Sequence, residues 1–184
     1  PDEPVRPGVV HRLDKETSGV IIFAKSPQAH HALSRQFALR YVRKRYLAVL
    51  DGLPPATEGT VELPIGRDNR DRIRFAVVER GRAAFTSYRL LTKLTGDRSL
   101  VLLTPITGRT HQLRVHMAAI GCPVTGDAVY GRRQRAAVQA MLLHARSLRL
   151  RLPSGKTSQQ FRAGLPAHFR EEPEVVACLR GLSS

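Results

Sequence analysis

Apolar residues fall in short blocks along this chain, and their spacing switches between strand-like and helix-like periods. The run Val20-Ile21-Ile22-Phe23-Ala24 predicts a strand over 20–25. Ser26-Pro27 then reads as a helix start, with Ser26 as N-cap and Pro27 at the first helical position. Ala32, Leu33, Gln36, Phe37 and Leu39 recur at roughly helical spacing, which predicts a helix over 27–41. Over 43–53, Tyr46, Ala48 and Leu50 can face one side and Leu47 and Val49 the other, the pattern of a strand buried on both faces. Strands are predicted over 73–78 and 83–91, joined as a hairpin through Glu79-Arg80-Gly81-Arg82, and again over 99–104 after a turn at Thr95-Gly96-Asp97. A helix is predicted over 108–120, with Leu113, Met117 and Ile120 on one face and Gly121 and Pro123 ending it. Leu148, Leu150 and Leu152 alternate with Arg149 and Arg151 in a strand over 141–152, followed by a turn at 153–156 and a short helix over 166–182.

Many strands joined by short turns, with few crossover helices, predict an α+β fold built on a mixed, mostly antiparallel sheet with flanking helices. A length of 184 residues suits one domain, and no repeat, linker or low-complexity tract divides it. Aromatic residues are 5% and Trp is absent, so the core must rest on Leu, Val, Ile and Ala.

Charge changes the picture most. The chain carries 30 Lys+Arg against 15 Asp+Glu, a net +15 with a pI near 11.2. That excess points to a polyanionic partner, and nucleic acid fits better than a membrane because no basic amphipathic helix stands out. Arginines 67, 70, 72 and 74, and 132, 133 and 135, make two basic loops that are candidates for RNA backbone contact, against the alternative of solvated charged loops. Cys122 and Cys178 are far apart and form no disulfide framework or CxxC site, which suits a reducing cytoplasm. No apolar stretch approaches the ~18 residues of a membrane span, and no signal-peptide pattern opens the chain.

The densest polar stretch is His11 to Gly19, HRLDKETSG, set between Val9-Val10 and the 20–24 apolar run. A polar knot between two β-prone runs is what a functional loop on a sheet looks like, although a solvated turn would read the same way. Asp14 is its strongest candidate, since a carboxylate can act as nucleophile or base. His11, His111 and His116 titrate near neutrality as a class. His111 and His116 are five apart, however, and not the four that would put two metal ligands on one helical face, so structural hydrogen bonds are expected of them. Asp127 reads as a loop-orienting residue, and Thr17, Thr107 and Thr110 as caps of turns or helix ends.

HRLDKETSG followed by an apolar run and Ala24-Lys25 resembles the active-site motif of the RluA-type pseudouridine synthases. TGRTHQLRVH at 107–116, continuing through Gly121-Cys122-Pro123 to GDAVYG at 126–131, resembles a second signature of that family, and Leu143-His144-Ala145 a third. The three occur in the family's order and span nearly the whole chain. The resemblance implies the same mixed sheet with a central active-site cleft. It implies isomerisation of specific uridines in structured RNA, ribosomal or transfer, with no cofactor and no metal. The target nucleotide must be flipped out of its stack to be reached, at a cost of a few kcal/mol. By the same resemblance Asp14 is the catalytic aspartate, Arg114 pairs with it, and Tyr46 of Lys44-Arg45-Tyr46 lies against the base. Leu113 would help line the base pocket, though a buried helix Leu reads equally well, and Arg12 would stand near the flipped-out site. Arg70, Arg72 and Arg74 are the expected backbone contacts. Only thirteen residues precede Asp14, where the family has several dozen. The expectation is therefore a single catalytic domain over 1–184, short of its early strands, without a separate RNA-binding domain, monomeric and cytoplasmic. An RNA-binding module of the same fold without catalysis is the alternative.

Overall fold

The computed structural model describes residues 8–68, 71, 74–131 and 140–182. In chain order its elements are β1 (Ser18–Gly19), α1 (Pro27–Ala38), β2 (Arg43–Asp51), β3 (Glu58–Val61), β4 (Ile65–Arg67), β5 (Phe75–Val77), β6 (Thr86–Leu94), β7 (Arg98–Pro105), α2 (Gln112–Ala119), β8 (Leu143–Arg151), β9 (Ser158–Arg162), α3 (Ala167–Arg170) and α4 (Pro173–Gly181). A seven-stranded sheet runs β1-β8-β2-β7-β6-β3, with β9 also on β8, and β4 and β5 form a separate ribbon. Among the described residues only the β1–β8 pairing is parallel, so the expected mixed, mostly antiparallel sheet is what forms.

Strand β2 lies at the centre and feeds two cores, as its alternation predicts. Tyr46, Ala48 and Leu50 pack with Val101 and Leu103 of β7 and with Leu113 and Met117 of α2. Leu47 and Val49 pack on the other side with Leu100, Leu142, and Phe169 and Val175 of α3 and α4. A third cluster joins Leu33 of α1 to Leu148 and Leu150 of β8. Helix α1 begins as read, with the Ser26 hydroxyl accepting from Ala29 N at 3.2 Å and Pro27 following it.

Four expectations are corrected. The 20–25 run is extended but forms no ladder strand of its own. Its amides go elsewhere: Val20 N donates to Ala145 O, Ile22 N to His11 Nε2 and Ala24 N to Gly8 O. The 73–78 and 83–91 stretches do not form a hairpin with each other. Strand β5 pairs with β4 and β6 pairs with β3 and β7, because the chain at Gly81-Arg82 packs directly over the Ile65 backbone. A Cβ at Gly81 would lie 2.7 Å from the Ile65 carbonyl carbon, so only glycine permits that approach. The C-terminal helix is broken into two, since Glu172 precedes a proline and is driven to φ −98, ψ 94. Helix α2 starts at Gln112 and not at 108, after His111 at φ +54.

Candidate active site

The polar knot and the start of α2 meet across the sheet's end. Asp14 sits in a tight turn in which Thr17 N donates to the Asp14 carbonyl at 2.9 Å. The turn is anchored by β1, whose Gly19 lies against Ala145 of β8, and by Ser18 Oγ, 2.9 Å from His144 Nδ1. Between this turn, the N-terminal end of β2 and the loop leading into α2 lies a cleft of about 390 Å³. That is within the roughly 300–1,000 Å³ usual for small-ligand sites. Asp14, Arg12, Tyr46, Leu113 and Arg114 all line it, so five residues singled out from three distant stretches of sequence share one cavity.

Arg114 is the pivot. Its Nη1 lies 3.3 Å from Asp14 Oδ2, while its Nε and Nη2 donate to Asp127 at 2.7 and 2.8 Å. The two carboxylates differ in access: the Asp127 side chain is 0% exposed and that of Asp14 is 18%. Asp127 Oδ1 also accepts from the amides of Val129 and Tyr130. Burial opposes its ionisation, but the Arg114 hydrogen bonds and these amides win and hold it below the usual carboxylate range. Burial likewise disfavours the charge on Arg114, and the two aspartates outweigh that and raise it further. The Arg114 guanidinium rests 5.0 Å from the centre of the Tyr130 ring. Asp14 is thus the carboxylate offered to the cavity, and Asp127 the one that fixes the cation between them.

Tyr46 projects from β2 into the same space. Burial, assisted by the charge of Asp14, pushes its hydroxyl up to about 12, so it stays protonated at neutral pH. A β-bulge resets the register here, pairing Arg45 with Ser147 and Tyr46 with Ala145. Two residues earlier, Lys44 donates from Nζ to Thr107 O at 2.9 Å, and burial brings it down to about 8. His11 stacks on Phe37 with centroids 4.6 Å apart, and its Nε2 accepts from Ile22 N. Burial and then the Lys44 charge bring it down to about 4, so it is neutral.

The loop before α2 is held by Gln112. Its Oε1 accepts from the Thr107 hydroxyl and from Arg109 N, and its Nε2 donates to Phe85 O and the Thr86 hydroxyl. His116 Nε2 lies 3.0 Å from Leu63 O, and a carbonyl can only accept, so Nδ1 is the unprotonated nitrogen facing Thr86 Oγ1. His111 Nδ1 is 3.0 Å from the Tyr130 hydroxyl. The structural hydrogen bonds expected of the three histidines are all present. Thr107 is not a cap as expected: its hydroxyl accepts from Phe85 N, far along the chain, and donates to the Gln112 side chain, so it ties the loop to the neighbouring strand.

Arg74 lies in another part of the molecule. Its Nη2 donates to Val129 O at 2.6 Å and its guanidinium lies 5.3 Å from the Tyr130 ring centre, so it ties the β4–β5 ribbon to the GDAVYG loop and does not line the cleft. Arg67 stacks on Phe75 in the same ribbon. Arg70 and Arg72 lie outside the described residues, as do arginines 132, 133 and 135. The sequence reading underrated Lys44, Gln112 and Tyr130, and gave Asp127 no partner. The available signal was their position inside the motifs, one or two residues from the candidates.

A family model described as RNA pseudouridylate synthase matches residues 1–119. The chain belongs to the RNA pseudouridylate synthase family. It is 49% identical over 167 residues to an uncharacterized RNA pseudouridine synthase of Chloroflexus aurantiacus, covering 90% of this chain and 52% of that one. It is 42% identical over 170 residues to the ribosomal large subunit pseudouridine synthase D of Borreliella burgdorferi, covering 91% and 52%. Relatives of that name place this pseudouridylate synthase chain in the RluA-type branch. The chain spans about half the length of these curated relatives. Among solved structures, human RNA pseudouridylate synthase domain containing 1 superposes with a TM-score of 0.75 at 34% identity, covering 92% of this chain and 71% of that one.

Proposed function

We propose that this chain converts uridine to pseudouridine in structured RNA, ribosomal or transfer, in the cytoplasm. The observation that carries the reading is the arrangement of Asp14, Arg114 and Tyr46 around one cleft in a chain of this family. The reaction breaks the N1–C1′ bond of uridine and forms a C5–C1′ bond. The C5 hydrogen leaves as a proton and N1 gains one, so substrate and product are isomers and no oxidant or co-substrate is needed. In this reading Asp14 is the catalytic residue, placed at the sugar and base of a flipped-out nucleotide. Arg114 keeps its carboxylate aimed, and Asp127 keeps Arg114 in place. Tyr46 offers a flat face to the uracil and, as a neutral phenol, a hydroxyl donor. Leu113 closes the apolar side of the base site, and Arg12, exposed at the cleft, stands where it can take the place of the departed base. In this reading the working unit is a monomer. No described helix is long and apolar enough to cross a membrane.

Tritium release from RNA labelled at uridine C5 tests the reading. The wild type is expected to release tritium and Asp14→Asn to release none, with RNA affinity unchanged within about threefold. Release from neither, with RNA still bound, would identify a binding module without catalysis. A loss of binding equal to the loss of turnover would remove the separation of chemistry from binding.

A further inference from the structure

Helix α1 ends in a Schellman motif: Tyr41 N donates to Gln36 O at 2.9 Å and Arg40 N to Phe37 O at 3.2 Å. The residue after the C-cap of such an ending takes a left-handed backbone, and glycine is preferred there because a Cβ is strained. Here that residue is Arg40, at φ +61. Its side chain is exposed and lines the mouth of the cleft. Arg109 lines the same mouth from the loop before α2, steered by its Nε–H to Ala83 O at 3.1 Å. Arg82 comes from a third segment, beside the bridge to Ile65. The three are close enough that the charges of Arg82 and Arg40, after burial, push the Arg109 guanidinium below its ordinary range. Among the described residues no salt bridge joins any of them to a carboxylate. A strained backbone and mutual repulsion both oppose folding, and among the described residues no carboxylate offsets the repulsion. Arg67 and Arg74, by contrast, stack on aromatic rings of their own ribbon.

We propose that Arg40 and Arg109 form a phosphate-binding lip that takes the RNA backbone beside the nucleotide held in the cleft. The proposal rests on the RNA reading above and names phosphate contacts at the cleft mouth that the reading did not include. A polyanion supplies what the chain withholds: negative groups at the opening, opposite Arg40 and Arg109 and next to Lys44, which line the same cleft. Arginine suits both positions because it stays charged even where like charges crowd it.

Arg40→Gly separates this from a structural role, because it removes the charge while relieving the backbone. The variant is expected to melt at or above the wild-type temperature. Its affinity for a fluorescein-labelled uridine-containing oligoribonucleotide is expected to fall about tenfold, and the log–log salt slope to shrink by about one counterion. Arg40→Lys keeps the charge and should recover most of the affinity, and Arg109→Gln should repeat the loss. Wild-type affinity and salt slope in Arg40→Gly, or equal losses in Arg40→Gly and Arg40→Lys, would overturn the lip. Tritium release on the same samples keeps the two readings apart. A wild type that binds RNA in an Arg40-dependent way yet releases no tritium upholds the lip and refutes the isomerase.

Discussion

Arg114 divides its guanidinium unequally, with two nitrogens on sealed Asp127 and one on accessible Asp14. The short, paired contacts fix the cation, and the longer one leaves Asp14 free to engage a substrate. This division makes the two carboxylates separable by mutation. Asp127→Asn keeps the oxygen that Val129 and Tyr130 need but leaves Arg114 buried without its compensating charge. Breaking one side of such a buried pair costs about 3 kcal/mol, which at this chain length lowers the melting temperature by roughly 6–12 °C. Turnover should fall with it. Asp14→Asn should lose turnover with a melting shift of only about 2 °C, and calorimetry on the two variants checks the contrast. Asp14, Tyr46 and Arg114 were legible as site residues because their motifs are local. The Asp127 anchor was not, because its partner is chosen by how the GDAVYG loop folds over α2.

At the scale of elements, the motif loop depends on a two-residue strand. Gly19 has φ +122, and a Cβ there would fall 2.3 Å from Ala145 O, inside the backbone of β8. Gly19→Ala must therefore push the loop off the sheet and carry Asp14 away from Arg114. The expected outcome is a clear drop in melting temperature together with loss of tritium release, while the Arg40 lip, held by α1, still binds RNA. Thermal melts beside an anisotropy titration would show it. The local patterns of β2, α1 and β8 predicted their elements well, because each carries its own period and stop signals. The 20–25 run and the 79–82 turn misled for one reason. Both are β-prone stretches whose hydrogen-bond partners, Gly8 and His11 in one case and Ile65 in the other, are set by tertiary packing.

The whole molecule combines a large positive charge with several buried, neutral histidines. His11, His116 and His144 all titrate below the ordinary histidine range, burial being the first cause in each. A histidine whose folded pKa is lowered is protonated more readily in the unfolded chain. Its contribution is complete above about pH 6.5 and is lost as the pH falls toward the folded value, about 4 for His11. Lys44, lowered to about 8, acts with the same sign at the other end: unfolding takes up a proton between there and about 10.5, so stability rises with pH across that window. The melting temperature should thus climb between pH 4.5 and 7, to be measured by scanning calorimetry. His11→Gln, whose amide oxygen can still accept from Ile22 N, should flatten part of that climb. An unchanged slope would assign it to the other histidines.

The sequence by itself determined the family, the fold class, the basic character and the identity of the catalytic candidates. Each of these is written in local periodicity, composition or a short motif, and needs no knowledge of distant neighbours. Tertiary structure alone decided which carboxylate is sealed and which is offered, that Arg74 reaches the Val129 carbonyl, and that Arg40 stands strained at the cleft mouth. Those outcomes depend on burial and on contacts between residues far apart in the chain, where a few ångströms decide whether a charge is paired internally or left for a ligand.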